Sequence, residues 1–205
     1  MHIVVAASDE QWNELTVLRP DINWQRVKDA ADFTEYKDAE AFFCLQNNNI
    51  LPGFEALQKP VIVNSVTETL KDLHAPENVL RINGWTTFLN RSVWEIAGTV
   101  TESMESVFKS LNIKINTLID EPGFIAARII AMIINEAFFA VADKVSTKAE
   151  IDTAMKLGTN YPFGPFEWAA LIGLNNILTL LQKLNETDSR YKPSALLIKE
   201  VKEKN

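Results

Sequence analysis

Glycine is scarce at the start of this 205-residue chain: there are seven in all, and none precedes Gly53. A turn that lets backbone approach a diphosphate, or lets a helix pack close on a strand, needs glycine. Residues 1–52 therefore hold no glycine-rich phosphate loop. Cysteine is reduced to Cys44, inside the apolar run 41–45. One cysteine makes no internal disulfide and no thiolate metal cage, so a buried inert thiol and a reducing, cytoplasmic location are expected. Histidine is limited to His2 and His74, which rules out the usual metal-ligand spacings. Basic residues are outnumbered, 20 against 27 acidic, giving a net charge of −7 and a pI near 5.0. That balance argues against nucleic acid or an anionic membrane as a partner. No basic stretch precedes the first apolar run, so no secretory leader is expected. The long apolar run 124–141 approaches bilayer length. Arg128 and Glu136 inside it predict a core helix rather than a membrane span.

What is present reads as strands alternating with helices, then helices alone. The β-branched run 2–7 predicts a strand. Ser8 followed by Gln11 predicts a capping box and a helix over 9–18. Strands are predicted at 23–27, 39–45, 60–66, 79–82 and 113–119, with a polar loop at 46–49 and a turn at 51–53. Helices are predicted at 67–74, with His74 on the surface at its end, and at 102–111. The alternation indicates a parallel α/β sheet. From Asp120 the pattern changes. Pro122 suits a first helical turn, and a helix over 124–141 follows. Further helices are predicted at 147–157, with Gly158 as C-cap, at 166–171 after the rigid elbow 161–165, and at 175–184. Residues 199–205 are charged and expected to fray. The domains are therefore set at 1–119 and 120–205, with no repeat or flexible linker.

The second half carries a resemblance. Asp120, Pro122-Gly123-Phe124-Ile125, Arg128, Ile151-Asp152, Ala154-Met155-Lys156-Leu157-Gly158 and Tyr161-Pro162-x-Gly164-Pro165-Phe166-Glu167 match, as does the closing Arg190-Tyr191-x-Pro193-Ser194-x-Leu196-Leu197. This pattern resembles the C-terminal domain of the 3-hydroxyacyl-CoA dehydrogenases, over roughly residues 79–201. The resemblance implies a fold class of α/β then all-α: a shortened Rossmann-like parallel sheet followed by a helical domain of that family's type. It also implies a homodimer through the helical domain.

The same resemblance locates a site and shows what it has lost. The family's catalytic His falls on Thr86 or Thr87 in the run Gly84-Trp85-Thr86-Thr87-Phe88-Leu89-Asn90-Arg91, and its Pro on Asn90 or Arg91. Neither threonine is a base near neutral pH. The family's orienting Glu is retained as Glu95. Its Asn falls on Ala127. Its Ser falls near Val66 or Thr67, with Asn64 and Ser65 at the start of that run. Ala170 stands where Asp is common. Asn64, Ser65, Thr67, Thr86, Thr87 and Asn90 are thus the candidate cleft residues and Glu95 the candidate catalytic one.

The first turn, Ala6-Ala7-Ser8-Asp9-Glu10, places two carboxylates where a pyrophosphate would need positive potential. Asp29 lies about where an acid meets a ribose. Trp85, Trp94 and Trp168 read as core. The sequence therefore predicts a degenerate family member with no cofactor and no metal, keeping a cleft for an acyl-CoA or other apolar acyl ligand, or serving a regulatory or structural role. The alternative is an active, NAD-dependent enzyme of fatty acid metabolism with an atypical site.

Overall fold

The computed structural model describes residues 1–46 and 53–204. The predicted polar loop at 46–49 and turn at 51–53 fall largely outside them. The chain divides into two compact units, Met1–Phe124 and Ile125–Asn205.

In the first unit seven strands form one sheet: β1 (His2–Ala6), β2 (Asn23–Val27), β3 (Ala41–Cys44), β4 (Val61–Asn64), β5 (Val79–Ile82), β6 (Val93–Ala97) and β7 (Lys114–Leu118). Their order is β2-β1-β3-β4-β5-β6-β7. Every neighbouring pair is parallel except β5 and β6, which run antiparallel with Arg81 opposite Ala97. Strand β6 was not expected. The order reverses between β1 and β3, the position where open α/β sheets bind ligands beyond their strand ends.

Side chains alternate across the sheet, and two cores result. Ile3, Val5 and Phe43 point to the face covered by α1 (Asp9–Thr16) and α2 (Glu102–Ser110), where Leu15, Val107 and Phe108 meet them. Val4, Ala6, Phe42 and Cys44 point to the other face. There the cover is thinner, and Phe33 and Phe54 from short 3-10 turns do the filling. Burial pushes the Cys44 thiol up to about 12, so it is inert. The predicted helix at 67–74 is a series of bends and turns. Thr69 and Asp72 bond each other's backbone N–H there, and His74 ends the turn, exposed, at φ +50°.

The boundary falls later than 119/120, because the intervening residues are held by the sheet unit. Buried Arg81 donates to Asp120 at 2.5 Å, to the Ser65 carbonyl at 3.0 Å and to the Glu121 carbonyl. The Asp120 carboxylate also accepts from Leu70 N–H at 2.9 Å. Gly123 N–H reaches the Val66 carbonyl at 2.7 Å, and the Arg81 guanidinium lies 4.4 Å from the Phe124 ring centroid. Pro122 does not open a helix. Gly123 and Phe124 have φ of +93° and +49°, so helical backbone begins only at Ile125.

The second unit is all helical: α3 (Ile125–Ala142), α4 (Lys148–Thr159), α5 (Pro165–Ile172), α6 (Leu174–Asn185) and α7 (Ala195–Lys204). Helix α3 touches all four others. It buries Ile130, Ile134 and Phe138 but exposes Ile125, Ile129 and Phe139, so its apolar surface extends beyond the side that is packed. Helix α4 runs through Gly158 and ends on Asn160 in the left-handed region. The elbow before α5 is tight. A Cβ on Gly164 would lie 2.3 Å from Asp152 Oδ1, which accepts the Phe166 N–H at 2.8 Å. The expected frayed tail is helical over most of its length: α7 buries Leu197 and Val201, and Glu200 pairs with Lys148 at 2.6 Å.

Candidate functional site

The candidate residues of the sheet unit lie around the carboxyl ends of β1, β3, β4 and β5, and α1 organises them. Ser8 caps α1, its Oγ accepting the Gln11 N–H at 3.2 Å while Gln11 Oε1 accepts the Ser8 N–H at 3.1 Å. The predicted capping box therefore forms. The other end of the Gln11 carboxamide reaches much further. Its Nε2 donates to the Leu45 carbonyl, just past β3, and to the Gly84 carbonyl, just past β5, both at 2.8 Å. Asn64 completes the bridge, donating to Leu45 O and accepting from Gly84 N–H, each at 3.0 Å. Gly84 is required here, because a Cβ would lie 2.8 Å from that of Asn64.

Two more α1-side residues hold the run 84–91. The Glu14 carboxylate accepts from Thr87 N–H at 2.6 Å and Leu89 N–H at 3.3 Å. Burial pushes the Glu14 pKa up, opposed by these two bonds and by the charge of Arg91. Arg19, buried, donates to the carbonyls of Leu15 (2.8 Å), Leu111 (3.1 Å), Leu89 (3.3 Å) and Arg91 (3.4 Å). Its desolvation lowers its pKa. Sequence reasoning missed Glu14 and Arg19. The available signal was spacing: Gln11, Glu14 and Leu15 fall three and four apart, on one face of α1.

The structure brings Asn64 and Thr87 into this network, and both act through backbone bonds. Thr87 is buried at φ +81°, a region branched side chains rarely occupy, with its Oγ1 unpartnered; so is the buried Asn83 Nδ2. Ser65 turns away, its Oγ donating to the Glu68 carbonyl at 2.7 Å. Thr67 and Thr86 are partly buried and Asn90 is exposed. Glu95 sits half-buried in the middle of β6, close enough for its charge to favour the ionised form of Arg91. Asp29 caps the 3-10 turn after β2, accepting from Ala31 N–H at 2.9 Å. Arg26 fills the space beside the first turn, bonding the Ala7 carbonyl at 2.8 Å and Asp9 at 2.7 Å. Trp85, Trp94 and Trp168 are all buried, as expected of core.

Apart from Asn83 Nδ2 and Thr87 Oγ1, this is chemically a set of backbone carbonyls and amides satisfied by the chain's own side chains. No group of three or more His, Cys, Asp or Glu side chains among the described residues is placed to hold a metal.

Residues 123–205 match the sequence profile of the 3-hydroxyacyl-CoA dehydrogenase C-terminal domain. The chain is 48% identical over 80 residues to the 3-hydroxyadipyl-CoA dehydrogenase of Escherichia coli K12, covering 38% of this chain and 17% of that protein. It is 35% identical over 146 residues to a 3-hydroxybutyryl-CoA dehydrogenase of Clostridioides difficile, covering 67% of this chain and 52% of the relative. It thus spans about half, or less, of the length of these curated relatives. Among solved structures, the (S)-3-hydroxybutyryl-CoA dehydrogenase of Ralstonia eutropha superposes with a TM-score of 0.76 at 18% identity, covering 99% of this chain and 93% of that one. At that identity the likeness establishes the fold: a Rossmann-type sheet followed by a helical domain. In sequence, residues 123–205 belong to the 3-hydroxyacyl-CoA dehydrogenase family, and the chain shares the fold of such an enzyme along nearly its whole length.

Proposed function

We propose that this protein is a degenerate 3-hydroxyacyl-CoA dehydrogenase that neither docks a nicotinamide dinucleotide nor transfers hydride. The observation that carries the reading is Gln11. Its carboxamide links Leu45 O, beside the point where the strand order reverses, to Gly84 O beyond β5, and that reversal is the crevice in which such sheets receive a dinucleotide. Three further features support it. The N-terminus of α1 is capped by Ser8 and carries Asp9 and Glu10, which oppose a diphosphate. Asp29 is engaged as a cap. The run that carries the family's base has Thr86 and Thr87 instead, and loss of a positioned base costs about 10²–10⁴ in rate.

The role left to the molecule is binding: an acyl-CoA or other apolar acyl ligand, or a partner in a homodimer built through the helical unit. The test is calorimetric titration with NADH, beside NADH consumption with acetoacetyl-CoA at high protein concentration. No heat of binding and no turnover are expected. Thr86→His and Thr87→His should stay inactive, because hydride would still lack a docked carrier. Turnover near or above about 1 per second would refute the reading. A thermal-shift comparison of acetoacetyl-CoA with free CoA separates acyl binding from a purely structural role.

A further inference from the structure

On the far edge of the same sheet, a groove of about 490 Å³ lies between α2 and β7. Its floor is apolar: Phe108 and Ile113 belong to the core, and Ile115 packs against it. Its rim carries Lys109 and Lys114, with Glu105 one helical turn back along α2. Strand β7 ends the sheet and has a neighbour, β6, on one side only. The Lys114 N–H points to that neighbour, bonding Ser92 O at 2.9 Å. The pleat therefore turns the N–H and C=O groups of Ile115 and Thr117 to the open side. A bare strand edge beside an apolar groove is the arrangement to which an extended peptide adds as a further strand. Main-chain bonds supply affinity and alternate side chains enter the groove.

Charge selects the occupant. Lys109 and Lys114 form no ion pair among the described residues, in a chain whose net charge is −7. A second copy pairing edge to edge through β7 would bring Lys114-Ile115-Asn116-Thr117-Leu118, which contains no acid. We propose that the α2–β7 groove is a docking site for an extended segment of another polypeptide in which apolar and acidic residues alternate. Its apolar side chains lie on Phe108, Ile113 and Ile115, its carboxylates alternate to the opposite face beside Lys114, Lys109 adds positive charge at the α2 rim, and its backbone pairs with Ile115 and Thr117.

The experiment titrates the full ¹⁵N-labelled chain with a capped hexapeptide alternating aspartate and valine, to about 1 mM, a range that reports weak association. The control peptide replaces aspartate by lysine. The expected result is a saturable shift and slowed hydrogen exchange at the Ile115 and Thr117 amides with the acidic peptide alone. The double variant Lys109→Glu/Lys114→Glu, at two surface positions, should weaken binding about tenfold or more, because it breaks the exposed pair with Lys114 and turns both positive charges beside the peptide negative. Equal binding of the lysine peptide overturns the proposal. So does an unperturbed Ile115–Thr117 edge, or protection of those amides by self-association with no peptide present.

Discussion

Gln11 is a buried amide with three bonds made, to Ser8 N–H, Leu45 O and Gly84 O. Truncating it takes the donor from the Gly84 carbonyl, leaves Leu45 O with Asn64 alone, and removes half of a helix cap. Gln11→Ala should therefore destabilise the sheet unit by about 1–3 kcal/mol, the cost of a buried group left unsatisfied. Urea unfolding should show a lower midpoint with an unchanged slope, and the variant should gain no affinity for NADH. Half of this role was legible in the sequence. The capping box spans three residues and follows from local geometry. The bonds to Leu45 and Gly84 depend on strand order and register, which no local pattern encodes. Asn64 and Thr87, expected as cleft residues from the sequence, likewise make bonds within the chain that local pattern does not reveal. Glu14 and Arg19 passed unnoticed for the same reason: their partners, Leu15 O apart, lie some seventy or more residues away along the chain.

At the scale of elements, helix starts with a local polar signature were read well, and those fixed by packing were not. The strand β6 was missed because Val93–Ala97 is short and has Glu95 at its centre; its antiparallel pairing with β5 makes it a strand. Helix α7 was underestimated because its many charges hide the buried Leu197 and Val201. Helix α4 buries none of its residues fully and leans on its ends. Its Thr147 cap is reinforced by Glu150, which accepts from Ser146 Oγ, Thr147 N–H and Thr147 Oγ1 and is thereby held at a pKa of about 2. Glu167 at the start of α5 is also lowered, first by the Lys156 ammonium and then by Gly164 N–H. Depressed acids stabilise the fold above their unfolded pKa, near 4.5, and lose that support as pH falls through the folded one, which for Glu150 is about 2. Acid should therefore loosen the α4–α5 region within that window. An NMR titration of the Glu150 carboxyl should give a pKa near 2, and a value above 4 would contradict the cap. Glu14 has the opposite sign. Its pKa is raised by burial, so its ionisation weakens the fold as pH rises.

For the whole molecule, the helical unit leaves Ile125, Ile129, Phe139, Leu157 and Leu171 exposed, Leu157 at 82%. Exposed large apolar side chains on one unit offer a surface for association, and self-association of this unit in solution is the expected outcome. Analytical ultracentrifugation should give the mass of a dimer at tens of micromolar, roughly the range of ordinary affinities, and Ile129→Lys should shift the mass to that of one chain. A monomer throughout would refute the idea. The anchoring of run 84–91 by α1 has a consequence for descent as well. Gln11, Glu14 and Arg19 grip that run by its backbone, so its path is set by a helix far upstream. A loop of another path placed there would leave those three side chains without their backbone partners. Replacing the three side chains first would release the present loop. Neither order of substitution passes through a well-satisfied intermediate, so two segments remote in sequence are coupled and can change only together.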